Sequence, residues 1–248
     1  MNRLFTKKKT SGGANNTLWW MVQGLRYSDV IAVYQCKGAE NQADALKDKT
    51  LNGYNLTPSS GVTWDAEHGF MSGYTTNTAL GTLSANKDIK TGIIRFSNYR
   101  HTDNNEFLSY MRFGNILMLR SQFSYQQHDT SGAKTAAGAG EMAIFKSHGE
   151  GDSSSGHWNS LGWTRANRYA PSSGVLAYDR NWRMFLDGTA LNYGQASCTG
   201  WSAVGGKPSE TNNRPLQMTN AYVIAAAFYS VVLSENAHKQ IAQMMMTI

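Results

Sequence analysis

Short apolar segments recur along most of the chain and are separated by polar turns. They are rich in β-branched and aromatic residues, and clusters of Gly, Asn, Asp and Ser lie between them, a pattern typical of β-strands. The segments are 29–35, 92–99, 115–126, 141–148, 158–166, 174–179, 182–188 and 222–233. The last is apolar at both alternating sets of positions and therefore predicts a central strand that is buried on both faces. Asp187-Gly188 predicts a tight hairpin turn within the pattern.

A single segment, following Ser234, has the pattern of a helix. Ser234 suits the N-cap, and Glu235 lies in the first turn, where a negative charge is stabilised by the helix dipole. The apolar positions that follow have the spacing of one helix face: Ala237, Ile241, Met244 and Met245. Many strands, one helix and turn-like connections predict an all-β, two-sheet antiparallel sandwich with one short C-terminal helix, over residues 26–248.

Composition supports this prediction. The chain has 248 residues, enough for one large all-β domain, and charged residues make up only 16% of them. Strands alternate with turns rather than with helices, which excludes a parallel α/β sheet. No apolar run reaches the roughly 18 residues that a membrane-spanning helix needs. We therefore expect no membrane insertion. Cys36 and Cys198 allow either a disulfide or two buried free thiols.

The positive charge is concentrated at the start of the chain. The formal net charge is +6, and residues 1–20 contribute +4 of it from Arg3, Lys7, Lys8 and Lys9 without any acid, which leaves +2 elsewhere. We therefore expect no nucleic acid to bind through the folded domain. Residues 1–25 are predicted to be a basic, flexible anchoring arm.

Two adjacent indoles, Trp19 and Trp20, follow a Gly/Asn spacer in this arm. Neighbouring side chains of a strand point to opposite faces, so one indole would need cover from another molecule. With Lys7, Lys8 and Lys9 they are the candidate anchoring residues. The alternative interpretation is that both indoles complete the domain core.

Several motifs occur in the order found in one known family. The end of the chain, with Val232-Leu233-Ser234-Glu235 leading into a helix, resembles the end of laminin G-like concanavalin A domains. The segments LKDKTLNGYNLT and VTWDAEHGFMSGYTTNTAL resemble the hairpin near the start of such domains and the strand pair after it. WNSLGWTRANR and WRMFLDGTAL resemble two later strands of the family. The resemblance covers residues 29–247 and implies a concanavalin A-like jelly roll.

This family resemblance implies a binding or structural role rather than catalysis. Many such domains belong to phage virion proteins and adhesins, and others bind sugars. Endoglucanases with a similar fold share a Glu-x-Asp-x-x-Glu strand, because a retaining pair needs carboxyls about 5 Å apart. This chain has no such strand, and its nearest acids, Glu141, Glu150 and Asp152, have a different spacing. No catalytic residue is predicted, and we do not expect an enzyme.

Loop aromatics beside polar residues are the candidate carbohydrate-binding residues. Stacking on a ring, combined with hydrogen bonds to polar side chains, is the chemistry such pockets use. The candidates are Trp158, Tyr99, Arg100, Asp103 and Asn104. The alternative for Trp158 is packing at the rim of the sandwich. No cofactor is predicted, although calcium is compatible with loop carboxylates at Asp44, Asp48, Asp152 and Asp187, for which the alternative is a role in forming turns.

The sequence thus favours a non-enzymatic structural or adhesive virion protein, such as a capsid decoration, fibre or tail component of a bacteriophage. Its expected partners are other virion proteins in an oligomeric assembly, and cell-surface glycans. A free-standing carbohydrate-binding module, extracellular or on a cell surface, is the second hypothesis, and a glycoside hydrolase is the third.

Overall fold

The computed structural model describes residues 18–58, 61–72, 89–98, 171–179, 183–191 and 221–248, and the backbone of seven further strands between residues 111 and 194. The first strands are β1 Val30–Gln35, β2 Val62–Asp65, β3 Gly69–Ser72, β4 Thr91–Ser97, β5 Met111–Phe113, β6 Ile116–Met118, β7 Tyr125–His128 and β8 Lys134–Ala137. The later strands are β9 Glu141–Ser147, β10 Ser160–Tyr169, β11 Gly174–Asp179, β12 Met184–Leu186, β13 Thr189–Ala190, β14 Tyr193–Gly194 and β15 Tyr222–Tyr229. The helices are a 3-10 turn at Tyr27–Asp29, α1 Gln42–Ala45 and α2 Glu235–Met245.

The strands form antiparallel sheets. Eight of them make one sheet, in the order β13-β12-β11-β4-β15-β3-β2, with β1 also paired to β15. Five make a second sheet, in the order β14-β10-β9-β6-β5, and β7 pairs with β8. The predicted fold class, an all-β antiparallel sandwich with a short C-terminal helix, is confirmed.

Strand β15 is the centre of the larger sheet. One edge pairs with β4 from Tyr222 to Tyr229. The other edge is shared, because β3 pairs with its first residues and β1 with Ala225–Tyr229. The Cys36 N–H donates to the Ile224 carbonyl at 2.8 Å where β1 ends, so the hydrogen bonding of this edge continues between the two partners.

Both faces of this sheet carry buried side chains at its centre. The side chains of one face, the loop face, pack with residues of the segment 37–58, and those of the other face, the helix face, pack with α2. Neighbouring residues alternate between the faces, as Ile93 and Ile94 do in β4. The prediction that 222–233 contains a strand buried on both faces is confirmed for β15, in which Val223, Ala225, Ala226 and Ala227 are fully buried.

Helix α2 begins where the sequence predicts. Ser234 is its N-cap, and the Ser234 hydroxyl accepts a hydrogen bond from the Ala237 N–H at 3.1 Å. Ala237, Ile241 and Met245 are buried against the helix face, as their spacing predicts. Met244 is only partly buried.

The two adjacent indoles lie in the domain core, not on an exposed surface. Trp19 is 5% and Trp20 6% exposed, and both pack in the cluster of the helix face. The expectation that one of them needs cover from another molecule assumed a strand, but here the backbone turns, with the Met21 N–H donating to the Leu18 carbonyl at 2.8 Å. A turn lets both rings lie on one side, where they meet edge to face at 5.4 Å.

The anchoring segment predicted for residues 1–25 therefore has two parts: residues 18–25, which the structure describes, and residues 1–17, which lie outside the described residues. Residues 18–25 follow the domain surface and contribute Trp19, Trp20 and Val22 to its core. Lys7, Lys8 and Lys9 lie outside the described residues, so their role as an anchor stays a prediction.

The hairpin predicted at Asp187-Gly188 connects β12 to β13. Both residues have positive φ, +51° and +78°, as a tight hairpin turn requires. The Asp187 carboxylate accepts a hydrogen bond from the Val175 N–H at 2.8 Å. A Cβ on Gly188 would lie 2.5 Å from Cα of Lys239 in α2, so a glycine is also needed for the helix to approach.

Gly69 allows β3 to approach the edge of β15 that β3 shares with β1, and we expect its replacement to destabilise the domain. Its φ is +92°, and a Cβ would lie 2.2 Å from the backbone oxygen of Val223. We expect Gly69→Ala to lower the free energy of unfolding by about 4 kcal/mol or more, measured by urea denaturation. Gly38→Ala is the control, because Gly38 has a similar φ of +72° but no heavy atom within 4 Å, and backbone strain alone costs roughly 1–2 kcal/mol. Equal losses in the two variants would contradict the steric argument.

Candidate functional site

The candidate carbohydrate-binding residues of the sequence analysis lie outside the part of the chain that the structure describes. These are Trp158, Tyr99, Arg100, Asp103 and Asn104. Their role stays a prediction.

Three of the four candidate calcium ligands serve as acceptors within loops and turns. Asp48 accepts from the N–H groups of Val33, Thr50 and Tyr54 at 2.9–3.1 Å and from the Thr50 hydroxyl at 2.7 Å. Asp44 forms an ion pair with Lys49 at 2.9 Å.

The third of these acids, Asp187, accepts the hydrogen bond from the Val175 N–H of β11 that is described above. Asp152 lies outside the described residues. Among the residues that are described, no three His, Cys, Asp or Glu side chains gather in a group that could hold a metal ion.

Asp48 fastens the segment after β1 to the sheet. The hydrogen bond that it accepts from the Val33 N–H connects this loop to β1, and Asn52 adds hydrogen bonds from its amide to the carbonyls of Val30 and Ile31 at 3.0 and 2.9 Å. The neighbouring Cys36 is a free, fully buried thiol, and burial raises its pKa to about 12. It is therefore protonated and unreactive at neutral pH.

Beyond α2 and the indoles, part of the helix face is open to solvent. In β2, Val62 and Trp64 pack toward the loop face, so Thr63 and Asp65 point the other way. By the same alternation, Met71 of β3 and Tyr222 of β15 lie on this side, since Phe70 and Val223 belong to the loop face. We call this set the open face; it consists of the exposed residues Thr63, Asp65, His68 and Met71 and the half-buried Tyr222.

A stacked pair of rings forms the centre of the open face. The imidazole of His68 lies over the phenol ring of Tyr222, with centroids 4.9 Å apart and planes inclined by 30°. Asp65 orients the imidazole, because its carboxylate accepts a hydrogen bond from the backbone N–H of His68 at 2.6 Å and lies 3.0 Å from Nδ1 of the ring. The side chains of His68 and Asp65 are 48% and 50% exposed, so an external molecule can reach both.

The carboxyl group of Asp65 is held ionised. Partial desolvation raises its pKa, but the hydrogen bonds from the backbone and ring of His68 outweigh that effect, and the pKa lies below its ordinary value. The open face therefore offers an anionic acceptor beside an aromatic surface at neutral pH.

Buried contacts hold the hairpin that carries this site. Trp64, on the opposite side of β2, donates from its indole N–H to the Cys36 carbonyl at 2.8 Å. At the border with α2, the partly buried Arg95 guanidinium donates to the Met245 carbonyl. The open face is thus attached to the central sheet on one side and bordered by the helix terminus on the other.

Sequence reasoning did not identify this group of residues. The family resemblance pointed to a strand pair at VTWDAEHGFMSGYTTNTAL. The structure confirms a pair in the first part of this segment, β2 and β3, and residues 73–80 lie outside the described residues. The alternation around Trp64 indicates that Thr63 and Asp65 share a face. Tyr222 is 154 positions from His68, and no local pattern connects the two.

The chain matches no protein-family model, and no curated protein matches its sequence. Among solved structures it is similar to domain 4 of AbnA, a GH43 extracellular arabinanase from Geobacillus stearothermophilus in complex with arabinotriose. The TM-score is 0.47 at 13% identity, over 87% of this chain and 98% of that one. It is also similar to the binding domain of botulinum neurotoxin DC in complex with SialylT, with a TM-score of 0.46 at 10% identity, over 89% of this chain and 52% of that one.

A mutant of Trypanosoma rangeli sialidase displaying trans-sialidase activity is a third similar structure. Its TM-score is 0.42 at 9% identity, over 89% of this chain and 34% of that one. The chain thus spans about half the length of the toxin chain and about a third of the sialidase chain. Within the described residues, no helix has the length and apolar character needed to cross a membrane.

We expect Asp48 to be essential for the stability of the segment after β1. Asp48→Ala leaves the donors of Val33, Thr50 and Tyr54 without their acceptor, so we expect a loss of roughly 3 kcal/mol in the free energy of unfolding. Urea denaturation measures this loss. Asp44→Ala is the matched control in the same segment, where breaking a partly exposed ion pair should cost less than about 1 kcal/mol. A loss at Asp48 no larger than at Asp44 would show that the loop carboxylates are equivalent.

Proposed function

We propose that this chain is a non-enzymatic, lectin-like adhesive module that binds a glycan at the open face. We further propose that the basic segment 1–17 holds the module in a larger assembly, such as a virion. The observation that carries the proposal is the division of the helix face. One part is covered by α2 and the indoles, whereas the other exposes a stacked ring pair next to an ionised carboxylate.

The chemistry of the open face fits a neutral sugar. The exposed side of the His68–Tyr222 pair is a flat, partly apolar surface on which the C–H face of a pyranose can pack. The Asp65 carboxylate and the Thr63 hydroxyl lie on the same side and can accept hydrogen bonds from sugar hydroxyls. A few polar groups placed around an aromatic surface are typical of sites that orient a small ligand.

The roles of the buried acids support a non-enzymatic function. Asp48 accepts three hydrogen bonds within its own loop and one from the Val33 N–H of β1, and Asp29 accepts from the Arg26 N–H at 2.9 Å. Asp179 is paired with Arg183 at 2.6 Å and its side chain is fully buried. Each of these carboxylates thus stabilises a turn, while glycoside hydrolysis needs two carboxyls that both reach the scissile bond.

The charge distribution supports a tether. Four basic residues within the first nine positions, without an acid, give segment 1–17 an attraction to an acidic protein surface that falls as salt rises. Tethering of many copies to one particle would raise the avidity of a module that binds each glycan weakly.

We expect loss of either ring of the stacked pair to weaken glycan binding. Tyr222→Ala and His68→Ala each remove one ring, and we expect dissociation constants to rise roughly tenfold, since aromatic contacts contribute on the order of 1 kcal/mol. The measurement is a glycan array with the full chain, followed by calorimetric titration of the glycans that bind.

Tyr27→Ala is the matched control for this experiment. Tyr27 is 40% exposed but precedes β1, which pairs with the end of β15 farthest from Tyr222. Binding by all variants with equal affinity would place the glycan site elsewhere on the chain. Release of reducing sugar from a bound glycan would refute the non-enzymatic proposal.

Two deletions separate tethering from folding. Deleting residues 1–17 should leave the melting temperature unchanged and abolish co-sedimentation with the particle that carries the protein, because this deletion removes the basic residues and leaves Trp19, Trp20 and Val22 in place. Deleting residues 1–25 should also lower the melting temperature, because it removes Trp19 and Trp20 from the helix face. Retention of the shorter deletion on the particle would refute the tether and favour a free-standing module.

A further inference from the structure

His238 belongs to α2, and its side chain lies on the buried side of the helix. It is 1% exposed, and its ring stacks on Phe185 with centroids 3.8 Å apart and planes inclined by 17°. Within the described part of the chain, neither ring nitrogen has a hydrogen-bond partner. The proposed glycan site does not involve this residue.

The charged groups around the imidazole do not favour a second positive charge. The guanidinium of Arg183 lies 5.4 Å from the centroid of the Phe185 ring on which His238 stacks. The acids near it, Asp179 at 2.6 Å and Glu235 at 3.8 Å, are paired with Arg183 rather than with His238. Lys239 follows His238 in the helix, and its backbone packs against Gly188.

These surroundings make protonation and burial of His238 incompatible. Burial, with a smaller contribution from the charge of Arg183, lowers the pKa of His238 from 6.5 to about 3. Because the folded pKa lies below that of the released side chain, the released state binds more protons below pH 6.5. The stability that depends on a neutral His238 is therefore complete above pH 6.5 and decreases as the pH falls toward 3.

Apolar contacts and hydrogen bonds hold helix α2 against the rest of the domain. A positive charge on the buried ring of His238 would weaken this packing. The buried side chains of α2 include Ile241, Ala242 and Met245, and its last turn accepts the hydrogen bond from Arg95. Arg183 also donates to the Leu233 carbonyl at 3.0 Å, just before the helix begins. The imidazole of His238 therefore lies at the junction of α2, strand β12 and the segment that connects β15 to the helix.

We propose that α2 is an acid-sensitive cover, and that protonation of His238 releases the helix from the sheet and exposes the apolar cluster of the helix face, including Trp19 and Trp20. The open face stays on the sheet when the helix leaves, since β2, β3 and β15 hold it independently of α2. An acidic environment would thus expose a new apolar surface beside the glycan site.

Hydrogen–deuterium exchange of the full chain tests the proposal. After correction for intrinsic exchange rates, we expect the protection factors of the α2 amides to fall by about a hundredfold between pH 7 and pH 4.5. His238→Phe keeps a ring stacked on Phe185 but does not titrate, and should show less than a threefold change over the same range. His68→Phe makes the same substitution at an exposed histidine and should retain the wild-type response.

Two results would overturn the proposal. One is an equal loss of protection in α2 and in the central strands β4 and β15 of the wild type, since acid would then unfold the whole domain rather than release the helix. The other is an equal response of the wild type and His238→Phe.

A measurement on the wild type alone covers the case in which the variant does not fold. Titration of the His238 ring by NMR should show a neutral imidazole throughout the pH range in which α2 stays protected. A ring that titrates near pH 6.5 while the helix stays protected would also refute the proposal.

Discussion

The double burial of β15 is the constraint on which the rest of the structure depends. This strand is hydrogen-bonded along both edges, and its residues from Val223 to Tyr229 are buried on both faces. A strand in this position can carry almost no polar side chains, and each of its faces must be covered by other parts of the chain. Covering them requires α2 and the Trp19–Trp20 turn on one side and the segment after β1 on the other.

Sharing one edge of β15 between two strands explains several residues that would otherwise look unrelated. The backbone of β3 can approach Val223 only because Gly69 has no side chain. Where β1 leaves the edge, Trp64 donates to the Cys36 carbonyl, and Asp48 and Asn52 hold the following loop against β1. The polar groups of this region stabilise connections, and the same connections set the position of the β2–β3 hairpin that carries the open face.

The helix face connects the proposed glycan site with the proposed acid response. The covered part depends on apolar contacts and on a neutral His238, whereas the open part depends on Tyr222, His68 and Asp65. Both histidines stack on an aromatic ring, but their environments differ. The ring of His68 is exposed and lies 3.0 Å from an ionised carboxylate, while that of His238 is buried next to Arg183. The ring of His68 is thus accessible to solvent and lies beside a negative charge, whereas the ring of His238 is inaccessible and lies beside a positive charge.

Local patterns in the sequence were sufficient for the elements whose signals lie within a few residues. The apolar run at 222–233, the Ser234 cap with its helical spacing and the Asp187-Gly188 turn are of this kind, because strand burial, capping and turn geometry depend on neighbouring residues. The family resemblance added the β2–β3 pair. The position of Trp19 and Trp20 could not be derived in this way, because a turn and a strand place adjacent side chains differently. The stacking of His68 on Tyr222 and of His238 on Phe185 was decided by tertiary structure alone, since strand pairing and helix docking bring together residues that are 154 and 53 positions apart.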